Sequence, residues 1–397
     1  MSVTTSPSST APRVVTALLP IMAVVLVSFL VIGLALPVLP LHVHHDLGLG
    51  TFVVGLVTGS QFAASLVSRV WSGHYSDSRG AKRAVVSGLF AAAASGLLYL
   101  LSLRFQGLPV VSVSILLVGR ALLGAAESFI ITGALSWGLA LVDHESSGKV
   151  IAWVGTAMYA AFALGAPAGN ALYARFGFEA IALVTTVVPL AVLILVAPLR
   201  AVAPQHRSRP ALAKVLGAVW LPGIGLAFSS IGFGAITAFI GLYFVDRGWS
   251  PAWLGFTAFA VAFIAARVVF GHLPDRLGGA RVAMICVVME AAGQAFIWLA
   301  RSPSFALVGA VLTGFGYSLV YPGLGVEAVR RTPRESRGLA MGAYTAFLDL
   351  ALGVASPVLG LIGGWAGLDR VFLVSAASVL FAAAIALRLM RTRTGDA

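Results

Sequence analysis

Apolar runs of about 20 residues, long enough to cross a hydrocarbon core as helices, recur from one end of this 397-residue chain to the other. They leave no polar stretch long enough for a soluble module, so the whole chain reads as membrane domain with lipid as its main solvent. The windows fall near 15–39, 51–74, 82–103, 111–140, 149–173, 178–198, 215–244, 252–273, 281–300, 304–329, 337–363 and 370–390, which predicts an all-α integral membrane protein of twelve transmembrane helices. Composition agrees: 59% of residues are hydrophobic and mean hydropathy is +0.98. Only 10% are charged, against about 25% in soluble domains.

A net charge of +12 raises the question of a nucleic-acid partner, which the placement of the basic residues excludes. Of 26 Lys and Arg, Arg69, Arg120 and Arg267 fall inside predicted helices, and Arg104, Arg175, Arg247, Arg301 and Arg370 fall in loops on one side. The other 18 punctuate the alternate loops and termini, a bias that places both termini in the cytoplasm and suits a bacterial inner membrane. Residues 1–13, rich in Ser, Thr and Pro, read as a disordered cytoplasmic tail, and 392–397 as a second tail. The apolar run after the first tail is too long for a signal-peptide core. Cys286 is the only cysteine, which excludes an internal disulfide and a multi-cysteine metal site; no metal and no cofactor are expected.

The most polar linker, 199–214, lies near the midpoint and divides an N-terminal six-helix half (14–198) from a C-terminal one (215–391). The halves repeat one another. Arg69-x3-Gly73-His74-x2-Asp77-x2-Gly80 recurs as Arg267-x3-Gly271-His272-x2-Asp275-x2-Gly278, offset by 198 residues. Glu145-Ser146-x-Gly148 followed by Pro167 recurs as Glu335-Ser336-x-Gly338 followed by Pro357, offset by 190. The drop of eight residues is placed most simply in the connection between the third and fourth helices of the second half. A duplicated membrane half is the signature of a transporter.

Gly73-His-Tyr-Ser-Asp77-Ser-Arg-Gly80-Ala-Lys82-Arg83 resembles the G-x-x-x-D-(R/K)-x-G-(R/K)-(R/K) signature of the major facilitator superfamily, whose fold is two pseudo-symmetric six-helix bundles. Arg120-Ala-Leu-Leu-Gly124 looks like the R-x-x-x-G motif of its proton-coupled members. Gly165-Ala-Pro167-Ala-Gly169 is similar to the end of the antiporter motif of its drug:proton efflux branch, with Ala166 and Asn170 departing from the pattern. Leu36-Pro-Val-Leu-Pro40 and Thr313-Gly-Phe-Gly-Tyr-Ser-Leu-Val-Tyr-Pro322 look like the YfcJ/YhhS-type subgroup of efflux permeases.

Each motif residue has a physical reading. Asp77 is expected to face the helix start near Ser336, and Asp275 the one near Ser146, where exposed N–H groups and partial positive charge stabilise a carboxylate. Such contacts would latch the halves together on the cytoplasmic side. Gly73, Gly80, Gly271 and Gly278 are expected to permit the close approach and the turn. Arg69 and Arg267 are expected to reach loop carboxylates such as Glu145 or Glu335. His74 and His272 are read as solvated.

An acid at mid-membrane costs at least ~2.5 kcal/mol on insertion scales and is usually functional. Glu127 and Asp349 fall near the centres of helices that, by the resemblance, line the central cavity, and are expected to carry protons because burial favours the neutral acid. The 190 offset sets Glu127 opposite Tyr317 and Tyr159 opposite Asp349, so each half supplies one acid and one phenol. Arg120, about 10 Å along the helix from Glu127, is expected to tune that chemistry or to brace neighbouring helices. Glu290, on a peripheral helix, draws a structural reading, and Glu327 a pairing with Arg330 or Arg331. Phe29, Gln61, Phe233, Tyr321 and Phe347 are the further cavity candidates beside Tyr159 and Tyr317, a mixture suited to an amphiphilic ligand.

The leading reading is a monomeric secondary transporter, not an enzyme, that exports a small organic or amphiphilic compound in exchange for protons while in contact with membrane lipid. Proton-linked uptake shares every feature except the antiporter-like motif. A membrane-embedded enzyme would need a nucleophile or metal cluster, and a transporter-like receptor a longer cytoplasmic segment. The chain carries no G-x4-G-K-(S/T) loop for direct ATP drive.

Overall fold

The computed structural model describes residues 10–142, 147–203, 212–333 and 337–394. They form α1 (Thr10–Ala35), α2 (Val38–Leu41) with a π-helical turn (His42–Asp46), α3 (Thr51–Arg79), α4 (Ala81–Leu103), α5 (Pro109–Leu141), α6 (Ser147–Val196) and α7 (Leu212–Asp246). Then come α8 (Leu254–Phe270), α9 (Leu273–Leu277), α10 (Gly279–Trp298), α11 (Pro303–Arg330), α12 (Arg337–Ala366) and α13 (Leu368–Thr394). Gly177 (φ 70, ψ −169) breaks α6 into two crossings, 147–176 and 178–196. With α1–α2 and α8–α9 each making one crossing, the twelve transmembrane helices expected from the apolar windows are present. The window at 215–244 is one helix that runs through Pro222. α1 begins at Thr10, inside the stretch expected as tail.

The motif after the second crossing is helical for longer than its glycines suggest. The window closed at 74, whereas α3 continues to Arg79. A Cβ at Gly73 would meet nothing within 4 Å, so that glycine serves neither a turn nor a close approach; Gly271 sits at φ −57, away from the left-handed region, but a Cβ there would collide with the Arg267 carbonyl oxygen, so a close approach does call for glycine at that position. The turn belongs to Gly80 (φ 97, ψ 149) and its repeat partner Gly278 (φ 93, ψ 136), which start α4 and α10 from a conformation that L side chains avoid.

The repeat is visible in packing. The position of a Cβ on Gly124 falls against the Gln61 carbonyl, and that on Gly314 against the Phe259 carbonyl. Gly133 lies against Ala81 and Val85, and Gly323 against Gly279 and Ala283. Each first-half pair maps onto its second-half pair by 190 residues on the α5/α11 side and 198 on the α3–α4/α8–α10 side, so the equivalence of Glu127 with Tyr317 rests on matched helix contacts. The shortening lies mostly in helix ends rather than in the connection: α10 has 20 residues where α4 has 23, and α11 reaches Gly314 sooner than α5 reaches Gly124.

The halves join through α3 and α12. Here Gly55 meets Ser356 and Pro357, Gly59 meets Gly353, and Gly360 meets Thr51, whose hydroxyl donates to the Gly360 carbonyl at 2.7 Å. Helices in lipid gain nothing from hiding apolar surface from each other, so small residues that admit close backbone packing are what hold this seam. Those contacts lie at the end of the bundle opposite the Gly80 and Gly278 turns. At that far end one buried apolar cluster runs through both halves, from Phe29 and Val54 to Phe239, Phe259 and Phe372. At the motif end the second half has its own cluster around Val219, Ala283, Leu324 and Leu389. The halves are sealed together at the far end.

Replacing Gly80 or Gly278 by Ala is expected to cost about 1–3 kcal/mol of stability, read as a lower thermal midpoint of the purified protein. Gly73→Ala is expected to be neutral or slightly stabilising, because Ala is the better helix former by about 1 kcal/mol. Equal losses at all three positions would refute the assignment of the turn.

Candidate functional site

Three groups of polar side chains meet among the helix centres. The first joins α3 and α5. Gly124 lets α5 approach the α3 backbone at Gln61, which sets the next turn of α5 beside that side chain. Gln61 Nε2 donates to Glu127 Oε2 at 2.7 Å, with both residues buried. Arg120, two turns earlier on α5, is fully buried and donates from Nε to the Val57 carbonyl at 3.3 Å; Nη1 and Nη2 have no hydrogen-bond partner. It lies within electrostatic reach of Glu127 without touching it.

The second group crosses between halves. Arg69 on α3 donates to Asp349 Oδ2 on α12 through Nε at 3.1 Å and also through Nη2, and Ser65 Oγ adds a weak contact to the same oxygen at 3.4 Å. The Asp349 side chain is 2% exposed and the Arg69 side chain 18%. Arg69 was expected to reach Glu145 or Glu335, which lie outside the described residues. Its ion partner is instead the acid expected to carry a proton. The seam explains this: close packing of α3 on α12 brings Arg69 and Asp349 face to face where the small residues end.

The third group is the repeat equivalent of the second. Arg267 on α8 lies over the ring of Tyr159 on α6, 5.1 Å from its centroid, and Nη1 donates to the Ser318 carbonyl at 2.7 Å. Arg267 corresponds to Arg69 at the 198 offset, and Tyr159 to Asp349 at 190. The two arginines of the duplicated motif therefore cross to matched positions in the opposite half, and meet a carboxylate in one place and an aromatic face in the other.

Around Arg267 lies an aromatic cluster. The Tyr159 ring meets Phe263 at 5.3 Å and Tyr321 at 5.8 Å, and Tyr317 stacks on Phe233 at 5.0 Å. Tyr344 donates to the Tyr321 carbonyl at 3.0 Å, while the Tyr321 hydroxyl pairs with Thr345 at 2.9 Å. Tyr159, Phe233, Tyr317 and Tyr321 are thus brought together. Phe29 stands behind them, its ring 5.8 Å from Phe162. Phe347, the other aromatic cavity candidate, packs against Gly223 on α7 with the motif-end cluster of the second half.

Asp77 is half-buried near the end of α3, and Asp275 is exposed on α9. α6 and α12 begin one residue after Ser146 and Ser336, but those serines, like Glu145 and Glu335, lie outside the described residues. Glu327 accepts from the Ala280 N–H at 3.4 Å and pairs with Arg330 at 3.1 Å, which anchors the start of α10. Glu290 is fully buried; Ser229 on α7 donates to its Oε2 at 2.5 Å, and Oε1 has no partner. Sequence reasoning missed Ser65 and Ser229, single serines among many. It also missed the Arg69–Asp349 pair, for which a signal existed: two intramembrane charges of opposite sign on the helices that join the halves.

Two six-helix bundles related by an internal repeat and crossed at their centres by paired side chains define a secondary membrane transporter. The family model of the Major Facilitator Superfamily matches residues 21–279 and again 223–397, and the chain belongs to that superfamily. It is 43% identical over 371 residues to an uncharacterised MFS-type transporter of Salmonella typhimurium, covering 94% of this chain and 96% of the relative. It is 41% identical over 364 residues to the uncharacterised MFS-type transporter YhhS of Escherichia coli, covering 92% and 90%. Among solved structures it is similar to a D-xylose–proton symporter, with a TM-score of 0.77 at 14% identity over 93% of this chain and 97% of that one.

If the crossing contact is an energetic link, Arg69→Gln and Asp349→Asn are expected to be non-additive. The double variant should be more stable than the sum of the single losses by about 1–3 kcal/mol in a double-mutant cycle on thermal or denaturant unfolding. Additivity within about 0.5 kcal/mol would show that the pair carries no coupling.

Proposed function

We propose that this chain is a proton-coupled secondary transporter of a small organic compound, working by alternating access of its two halves in a bacterial inner membrane, with both termini cytoplasmic. What carries the reading is the Arg69–Asp349 pair across the seam, with Glu127 nearby. Ionised, Asp349 holds Arg69 and ties α3 to α12 at the inner margin of the far-end seal. Protonated, it loses the charge that holds Arg69, and that guanidinium lies within electrostatic reach of Glu127 as well. One proton thereby loosens one of the two crossings between halves. The Arg267–Tyr159 crossing has no such switch, because it relies on an aromatic face. Arg120, with both terminal NH2 groups unpaired beside this site, is the residue that sets the field around Glu127. Asp77 and Asp275 act at the motif end as latches on the starts of α12 and α6 when that end closes, the Gly80 and Gly278 turns fixing how α3 and α9 present them.

Export is supported by the resemblance of Gly165-Ala-Pro167-Ala-Gly169 to an antiporter motif. In the fold those glycines lie against the backbone of Gly33 and Leu34 on α1, and such packing serves either direction of transport. Uptake with a proton is supported by charge. Arg69, Arg120 and Arg267 outnumber Glu127 and Asp349, so the site attracts negative charge, and protonation of either acid strengthens the attraction.

Proton movement on ligand addition tests both readings. Purified protein in weakly buffered solution, exposed to a panel of antibiotics, sugars and metabolites, should release protons if substrate and proton exchange, and take them up if they travel together. Asp349→Asn and Glu127→Gln are each expected to abolish or shift that signal. Unchanged pH dependence of transport in both variants would sink the coupling assignment. Arg120→Lys keeps the charge but loses the fork, and full proton-driven transport in that variant would reduce Arg120 to a brace.

A further inference from the structure

Among the described residues, Arg267 is the one of the three central arginines with no acidic partner. Arg69 has Asp349, and Arg120 has Glu127 within reach. Arg267 uses one N–H on the Ser318 carbonyl and lays its plane over Tyr159, whereas a guanidinium has five N–H donors. Among the described residues, the side chains that act on it most strongly are phenols: Tyr159, Tyr321, Tyr317 and Tyr344. A partly buried cation left without a counter-charge is costly, and the chain's own repeat shows how that cost is met elsewhere: the first-half copy faces a carboxylate. Arg267 is half-buried.

We propose that Arg267 and the surrounding tyrosines form an organic-anion subsite, in which a ligand carboxylate supplies the acid that the second half lacks. The guanidinium offers a planar pair of donors suited to a carboxylate, and the rings of Tyr159, Phe233, Phe263 and Tyr317 offer apolar faces for an aromatic or aliphatic body. With Glu127 and Asp349 both ionised, three arginines leave one positive charge, which matches a monocarboxylate. Protonating Asp349 releases Arg69 and raises the surplus to two, so the anion and the proton bind together. This deepens the transporter reading and rests on it.

The test is binding to the purified full-length protein in lipid nanodiscs, by calorimetry at pH 6 and pH 8. The probes are benzoate, phenylacetate and 2-naphthoate, compared with the neutral benzamide and the cationic benzylamine. The expected result is at least one carboxylate binding about tenfold or more tighter than benzamide, the scale of a charge-assisted pair, with benzylamine weakest. R267Q should erase that preference, R267K should keep part of it, and Y159F, which retains the ring, should keep it. Should R267Q not fold, the ranking of the isosteric probes on the wild type still decides. The proposal is overturned if no carboxylate binds, if benzamide or benzylamine binds as tightly, or if folded R267Q binds carboxylates like the wild type. Arg267-dependent carboxylate binding of equal strength at both pH values, with no proton uptake, would leave the anion subsite standing and remove the proton-coupled reading alone.

Discussion

Close packing of small residues along the seam between α3 and α12 is the contact on which the rest of the arrangement depends. Gly55, Gly59, Gly353 and Gly360 bring the two backbones together where larger side chains would hold them apart. In lipid no hydrophobic force draws apolar helices to one another, so dispersion at short range and a few buried polar contacts must do it. The seam also fixes where the charged chemistry sits. Beyond its last glycine contact, Gly353 on Ala63, the next inward-facing residues are Ser65, Arg69 and Asp349, and they meet because the helices are already close. The Arg69–Asp349 ion pair there is an extension of the seal, made of charged groups.

Much of this was legible in the residues. Apolar windows located the twelve crossings, because a membrane-spanning helix must satisfy its backbone internally over a fixed length. The paired offsets of 198 and 190 aligned the halves well enough to set Tyr159 opposite Asp349, and the packing of Gly124 on Gln61 and of Gly314 on Phe259 follows the same alignment. The helix end at Arg79 was not legible: Gly73 reads as a breaker, yet nothing in Ser72–Arg79 opposes the helix, and the positive φ falls on Gly80. The partner of Arg69 was missed because pairing between halves depends on how they are closed, which spacing along the chain does not encode.

The site departs from the repeat in a consistent direction. Glu127 is matched by Tyr317, and Asp349 by Tyr159. In each case one half keeps a carboxyl group and the other keeps a phenol. The arginines, by contrast, are retained in both halves. A symmetric site would have two identical crossings, loosened or tightened together. Here one crossing pairs an arginine with a carboxyl group and the other with an aromatic face, so on the proposed reading the response to protonation has a defined place in the bundle.

The same asymmetry decides where charge can be left over. Two arginines facing two acids would close the account within the protein and leave little reason for a charged ligand to enter. Replacing one acid by Tyr159 keeps Arg267 in position through an aromatic face, an interaction that holds a guanidinium without neutralising it. The cation is thereby ordered but still short of a counter-charge, and it lies between the halves, where a ligand must be held during alternating access. A protein that only needed to pin α8 against α6 would gain more from a second carboxylate. On the proposed subsite, an arginine without a counter-charge among the described residues would tie recognition of a ligand to the contact that the two halves must remake in each cycle.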